Sequence, residues 1–325
     1  MTYFATACSS GKLKRCINDM VTTRVQTLPK SCCSVKVAGP IVRINPREIH
    51  IKDPDFYDEV YASGSRKREK DPHFIPALLS PHSIISTIDH EHHRLRKSYL
   101  KNFFSRRSLK TLEPFVQQSI NLLCQKLERA YAEKQPVQLD SLYADLTADL
   151  ITYYSFGESS GYLNREGKVN DIQSGVGTIT NGFHLNRFFP MFRQTVLMCP
   201  IWAIKTFFPN YAETLEMLRL LHEQSKAALA KTEFKYSDRD RTLFDALADP
   251  EIPSKERTTA RLMDEGFVVL AAGTATTART LAMASFHMFS QKRILHKMRE
   301  EVQEIMHRTD KNPCWADLEG LPYLV

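Results

Sequence analysis

The stretch Gly266-Phe-Val-Val-Leu-Ala-Ala-Gly-Thr-Ala-Thr-Thr-Ala278 decides how the chain is read, because an apolar helical run turns abruptly to small residues at its centre. A glycine inside a buried helix costs about 1 kcal/mol relative to alanine, so its presence needs a reason. Small side chains let a flat or bulky ligand lie against a helix, and a threonine hydroxyl can bond the carbonyl four residues earlier and bend the helix. The stretch therefore predicts a groove that contains a hydroxyl. Close packing of another helix on Ala272, Gly273 and Thr274 is the alternative explanation.

A second stretch, Asp89-His-Glu-His-His-Arg-Leu-Arg-Lys97, concentrates cationic side chains on one short helix. Helical spacing puts His93 and Lys97 on one face, where charge-assisted hydrogen bonds can converge on ligand carboxylates or on an acidic partner. An ordinary solvated run of charges is the alternative. A zinc-protease helix is excluded, because His90-Glu-His-His93 lacks the two histidines four residues apart that such a site requires.

Composition and periodicity predict a mainly helical protein with a small β-sheet. The chain has 325 residues, of which 42% are apolar and only 12 are glycine, so it can bury a large core. The alternating runs Ile41–Ile44 and Glu48–Ile51 flank the turn pair Asn45-Pro46 and predict a β-hairpin. Helical periodicity recurs at about 53–62, 89–104, 109–134, 139–157, 211–232 and 255–308, the last broken near Ser290. Residues 63–88 are expected to form a loop, and the aromatic, proline-interrupted stretch 183–208 short helices and turns.

Charge and cysteine content exclude several classes of protein. The net charge of +7 comes mostly from residues 1–38 and 90–110, and no stripe of basic and aromatic residues suggests nucleic-acid binding. The seven cysteines are scattered and include no Cys-x-x-Cys pair, so neither a disulfide framework nor a zinc site is expected. No uninterrupted apolar run approaches the ~18 residues that span a bilayer, so no membrane anchor is expected within the chain.

The two stretches, in this order and separation, resemble those of cytochromes P-450 of filamentous fungi. The resemblance runs from about Gly39 to Val325 and rests on five segments in order. They are the opening strands 39–50, His93-Arg-Leu-Arg-Lys97, Thr147-Ala-Asp-Leu-Ile-Thr-Tyr-Tyr-Ser-Phe-Gly157, Ala272-Gly-Thr-Ala-Thr-Thr277 and Leu318-Glu-Gly-Leu-Pro-Tyr-Leu324. The resemblance implies an incomplete cytochrome P-450 fold, with residues 39–325 as a partial domain that reaches the start of the family's K helix. Residues 1–38 are expected to be a disordered leader outside the family.

The resemblance also implies roles for individual residues. Thr276 would deliver protons to dioxygen, while Ala272 and Gly273 would shape the dioxygen groove. His93, together with Arg96 or Lys97, would bind the propionates of the heme.

The chain departs from the family pattern at two of these positions. Ala275 stands where an acidic residue is usual, which is expected to weaken proton delivery. Lys97 stands where arginine is usual, so the charge is kept but the bidentate fork is lost.

A larger departure concerns the iron ligand. After the Thr276 segment the family requires a Glu-x-x-Arg pair and then a Cys-x-Gly loop, whose thiolate binds the heme iron. Neither occurs after Thr276 in this sequence. The pairs Glu91/Arg94 and Glu216/Arg219 have the right spacing but precede that segment, and no cysteine has a glycine two positions later. Cys314, in Asn-Pro-Cys-Trp, is expected to occupy a turn that leads to a helix cap. We therefore expect no metal ligand within the sequence and no stable thiolate-ligated heme.

The function implied by the resemblance is that of a heme-dependent monooxygenase acting on an apolar small molecule of fungal secondary metabolism. NADPH would supply electrons through a cytochrome reductase that docks on the basic face from Arg94 to Lys101. Members of the family are usually anchored to the endoplasmic reticulum membrane. Without the ligand segment, the chain as given is expected to be inactive. The competing hypothesis is a truncated, non-catalytic small-molecule-binding protein with a cavity under residues 183–208 and the loop 74–88.

Overall fold

The computed structural model describes residues 3–6, 40–46, 48–61, 66–165, 170–189, 191, 206, 209–230, 242–309 and 313–324. Three of these segments form an antiparallel sheet in the order β1-β3-β2, with β1 at Tyr3–Thr6, β2 at Ile41–Asn45 and β3 at Glu48–Ile51. The predicted hairpin is confirmed, with Ile41 opposite Ile51 and Val42 opposite His50. Strand β1 belongs to the predicted leader, whose residues 7–38 lie outside the described residues.

Helices make up most of the rest of the described chain, so the predicted mainly helical architecture with a small sheet is confirmed. They are α1 Tyr57–Val60, α2 His90–Leu100, α3 Arg106–Lys110, α4 Glu113–Ala132, α5 Leu139–Phe156, α6 Asp171–Phe188, α7 Pro209–Ala230, α8 Leu243–Leu247, α9 Thr259–Ala271, α10 Thr277–Ser290, α11 Lys292–Arg308 and α12 Trp315–Glu319. Short 3-10 turns occur at Pro54–Phe56, Ile75–Leu78, Tyr162–Asn164 and Ser254–Glu256.

Local chemistry explains where the helices begin and end. The helix predicted over 109–134 is divided into α3 and α4, and Pro114 occupies the first turn of α4, where a missing N–H costs nothing. Asp89 caps α2 by accepting a hydrogen bond from His92 N at 2.7 Å. Helix α5 ends as predicted at Gly157, which adopts a left-handed conformation with φ of 81°.

Helix α9 runs through the main hydrophobic core, between α5, α7 and α8. Its buried residues Leu262, Phe267 and Leu270 are at most 5% exposed. Gly266 permits this packing, because an added Cβ would lie 2.8 Å from Phe244 Cζ. The core therefore fixes the first half of the central helix.

The central helix, Thr259–Ser290, is long and apolar enough to cross a membrane by length and composition, although only 22% of its most apolar window is buried. Polar and charged residues interrupt its apolar positions, so it contains no uninterrupted apolar run of the kind sought in the sequence. Arg261, Asp264 and Glu265 lie buried in its first half, each with protein partners. Such buried, partnered charges are those of a core helix in a globular domain.

Candidate functional site

Five residues at the centre of the long helix, Ala272–Thr276, adopt π-helical geometry. Such segments insert one residue into the α-helical ladder and are frequent at functional sites. Thr276 Oγ1 donates a hydrogen bond to the Ala272 carbonyl at 2.6 Å, which is the bond predicted from the sequence. Both residues are exposed. The structure thus brings Ala272 and Thr276 together on the open side of the helix.

Gly273 and Thr274 face the opposite way, toward α5. A Cβ added to Gly273 would lie 2.6 Å from Ile151 Cγ1, far inside van der Waals contact, so only glycine allows this approach. Thr274 is fully buried, and Thr147 Oγ1 lies 3.0 Å from its carbonyl oxygen. Helix packing, the alternative raised for this stretch, accounts for Gly273. The part of Gly273 in shaping a dioxygen groove stays a prediction.

Beyond Thr276, helix α10 exposes large apolar side chains. Leu281, Met283, Phe286 and Phe289 are 36%, 53%, 66% and 59% exposed. Exposed apolar side chains of this size mark a binding or packing interface where they form a continuous patch. The central helix therefore exposes the small residue Ala272 and the hydroxyl residue Thr276, and its continuation exposes both further threonines and large apolar side chains.

The second predicted pair, His93 and Lys97, lies on α2. Burial lowers the pKa of His93, and the nearby positive charges of Lys70, Lys97 and His90 lower it further. Neutral His93 has one N–H to donate, while Lys97 is exposed and offers an ammonium group. This face is suited to binding carboxylate groups.

Arg96, the other predicted cation, is engaged within the protein. Its side chain is only 12% exposed, and its Nε donates to Glu256 Oε2 at 2.9 Å. One terminal nitrogen also donates to Thr87 Oγ1 at 2.7 Å and to the His82 carbonyl at 3.0 Å. Of the two cations that the sequence offered as partners for His93, Lys97 is the one free to meet a ligand.

Glu256 is the centre of a charge cluster that the sequence did not reveal. His92, Arg96 and Arg261 approach its carboxylate at 2.7, 2.9 and 3.1 Å. Burial raises the pKa of Glu256, but the hydrogen bonds from His92 and Arg96 outweigh burial, so the net pKa lies below the ordinary value. The only sequence signal was the presence of charged residues at the start of an apolar helix.

Some of the described residues have the chemistry needed to hold parts of a heme. Ala272 and Thr276 offer a small, open helix face, and His93 with Lys97 offers donors for two propionates, so the chemistry of each pair suits its own part of a heme. The described cysteines, Cys124 and Cys314, are exposed, and no group of potential metal ligands occurs among the described residues. Cys314 is the N-cap of α12, as predicted, where its backbone N–H donates to Asp317 at 2.9 Å.

Two other surfaces bear on binding. Phe183 packs edge-on against Phe74, with ring centroids 5.2 Å apart, so the aromatic stretch meets the loop 74–88 at that point. Phe192, Trp202, Phe207 and Phe208 lie outside the described residues, and a cavity there stays a prediction. Elsewhere a cavity of about 330 Å³ lies between α3 and α12. It is lined by Arg106, Arg107, Lys110, Trp315, Ala316 and Glu319, none of them a predicted site residue.

Comparison with known proteins identifies similar chains. The family model "Cytochrome P-450" matches residues 32–325. "Cytochrome P-450 monooxygenase TRI4" of Fusarium sporotrichioides is 37% identical over 294 residues, which cover 88% of this chain and 55% of that protein. "Conidiogenone synthase PchP450" of Penicillium rubens is also 37% identical, over 88% of this chain and 57% of its own length. The chain thus spans little more than half the length of these relatives.

A solved structure gives the fold independently. The crystal structure of a cytochrome P-450 (CYP102L1) superposes with a TM-score of 0.66 at 12% identity, covering 90% of this chain and 65% of that one. At this identity the match shows the fold alone.

Proposed function

The chain belongs to the cytochrome P-450 family. We propose that it is the part of a heme-dependent monooxygenase that holds the heme propionates and faces bound dioxygen, here called the dioxygen side. The proposed substrate is an apolar small molecule of fungal secondary metabolism. This substrate class is supported by relatives from fungi, one named a monooxygenase and another a conidiogenone synthase.

One observation carries the proposal: the hydroxyl of Thr276 lies at a π-helical interruption, on the open side of the central helix, beside the small residue Ala272. A π segment costs helix stability, so selection for a local task accounts for it better than packing alone. Packing explains Gly273 on the other side but does not explain an exposed threonine on this one.

The roles of the remaining residues follow from their chemistry. When bound, the heme would supply a redox-active iron at which dioxygen is reduced. His93 and Lys97 would hold its propionates, and Ala272 would let its flat face approach the helix. Thr276 Oγ1 donates its one hydrogen to the Ala272 carbonyl, and its lone pairs remain to accept a hydrogen bond. To pass a proton, the hydroxyl would turn this hydrogen away from Ala272 toward the recipient and take another from the donor that it accepts. Ala275 has no carboxylate, so water would have to bring the proton to Thr276.

Electrons would come from NADPH through a flavoprotein reductase. Arg94, Lys97 and Lys101 are exposed on or beside α2 and support docking of an acidic surface on this face. Arg107 and Lys110 of the adjoining α3 extend the same positive charge.

We further propose that a polypeptide limited to residues 1–325 does not itself carry out the oxidation. None of its seven cysteines has a glycine two residues later, and Cys314 is committed to a helix cap. The thiolate that the chemistry needs would have to come from elsewhere.

Titration of the chain with hemin tests the dioxygen-side assignment. Lys97→Gln should weaken hemin binding about tenfold, the loss of one charge-assisted hydrogen bond. Arg293→Gln, the same loss of one positive charge on an exposed side chain of a different helix, α11, is the matched control and should change affinity little. Equal affinities for the two variants would refute the assignment of Lys97.

A further inference from the structure

Glu256 connects the central helix to α2 through charged side chains. It ends the 3-10 turn that precedes α9 and is only 7% exposed. On the α9 side, Arg261 approaches its carboxylate and also donates to its backbone carbonyl at 2.9 Å. On the α2 side, His92 and Arg96 hold the same carboxylate. One acidic side chain thus joins two helices.

The two α2 partners fix how that helix is rotated about its axis. His92 and Arg96 are four residues apart and lie on one face. His93 and Lys97 each follow one residue later, about 100° further round the helix. Any rotation that moved His93 and Lys97 would break both bonds to Glu256.

The segment that precedes α2, at residues 82–84, is hydrogen-bonded to α9. His82 N donates to Asp264 at 2.8 Å, and Ile84 N donates to Glu265 at 3.0 Å. Arg96 bonds the carbonyl of His82 from the other side. The segment that precedes α2 therefore cannot shift along α9 without breaking these hydrogen bonds.

We propose that Glu256 is a positioning residue, which acts through His92 and Arg96 to hold His93 and Lys97 in the orientation that binds carboxylates. It contacts no ligand itself. The inference rests on the proposed function, since the orientation matters only if His93 and Lys97 bind the heme propionates.

The titration of His93 in the 325-residue chain, followed by NMR with labelled histidine, gives a readout that does not need heme. His93 titrates below its ordinary range because it is part-buried beside Lys70, Lys97 and His90. Glu256→Gln should release α2, expose His93 and raise its pKa toward the ordinary value of about 6.5. Simple loss of a nearby negative charge would lower the pKa of His93 instead, so the sign of the shift separates positioning from electrostatics.

Glu91→Gln is the matched control, because it makes the same acid-to-amide change on an exposed side chain of α2. It should leave the pKa of His93 unchanged. If Glu256→Gln fails to fold, Arg96→Lys keeps the charge but loses the fork, and it should raise the pKa of His93 in the same direction.

Hemin affinity then separates this inference from the function on which it rests. Glu256→Gln should weaken hemin binding about tenfold, as Lys97→Gln does. If Lys97→Gln leaves hemin affinity unchanged, the proposed function fails while the His93 titration still tests positioning. If the pKa of His93 falls or stays constant in both Glu256→Gln and Arg96→Lys, the positioning role is overturned, whatever the hemin affinity of these variants.

Discussion

Gly273→Ala tests why the central helix carries a glycine. An added Cβ would lie 2.6, 2.9 and 3.1 Å from three atoms of the Ile151 side chain, up to about 1 Å inside normal contact. Overpacking of this kind costs about 1–3 kcal/mol, whereas alanine gains about 1 kcal/mol in helix propensity. The free energy of unfolding should therefore fall by roughly 0–2 kcal/mol.

The chain contains a matched control in Gly177. It is an exposed glycine within α6, and an added Cβ there would meet nothing within 4 Å. Gly177→Ala should raise the free energy of unfolding by about 1 kcal/mol. The two substitutions should thus differ by about 1–3 kcal/mol in urea unfolding, although both are glycine to alanine in a helix.

A second substitution identifies the source of the difference. In a chain that already carries Ile151→Ala, the atoms at 2.6 and 2.9 Å are gone and only Cβ remains, at 3.1 Å. Gly273→Ala should then destabilise less than in the otherwise unchanged chain, and its effect should move toward that of Gly177→Ala. If Gly273→Ala stabilises the otherwise unchanged chain as much as Gly177→Ala does, close packing on Ile151 is not the reason for the glycine.

Three further predictions concern buried acids and the threonine. Asp149 accepts hydrogen bonds from Tyr162 N at 2.8 Å and from Leu163 N at 2.9 Å. Asp149→Asn should turn an N–H toward one of these donors and lower the free energy of unfolding in urea by about 1–3 kcal/mol. Unchanged stability would count against these bonds. Burial raises the pKa of Glu265 above its ordinary 4.5. Between pH 4.5 and the folded-state pKa, the folded chain therefore holds more protons than the unfolded chain, and the free energy of unfolding should fall as the pH rises. Glu265→Gln should remove this part of the pH dependence, and an identical slope in both chains would contradict it. In a hybrid that joins residues 39–325 to the C-terminal part of a related family member, Thr276→Ala should keep substrate affinity but divert reducing equivalents to hydrogen peroxide, and unchanged coupling would exclude Thr276 from proton delivery.

Local patterns predicted the elements whose chemistry is contained in a few neighbouring residues. The hairpin at Asn45-Pro46, the end of α5 at Gly157 and the break after Ser290 all depend on turn or capping residues that are visible in the sequence. The hydrogen bond from Thr276 Oγ1 to the Ala272 carbonyl likewise joins residues only four positions apart. Such features need no tertiary information.

Elements that depend on distant partners were missed. Helix α6 contains glycine, threonine and asparagine, which disfavour helices, and it forms because it packs on α7 and on the turn Ile75–Leu78. The salt bridges of Glu256 to His92 and Arg96 join residues more than 150 positions apart, so no local sequence pattern predicts them. The role of Gly273 could not be decided from sequence for the same reason, because Ile151 lies on another helix.

The most direct test of the account is the carbon monoxide difference spectrum of the reduced protein, recorded for the 325-residue chain with hemin and for the hybrid. We predict a thiolate-type spectrum in the hybrid, because residues 39–325 would supply the residues that face dioxygen and the added part would supply the cysteine. For residues 1–325 alone we predict at most an imidazole-type spectrum. A thiolate-type spectrum from the chain alone, or none from a folded hybrid that binds heme, would contradict the account.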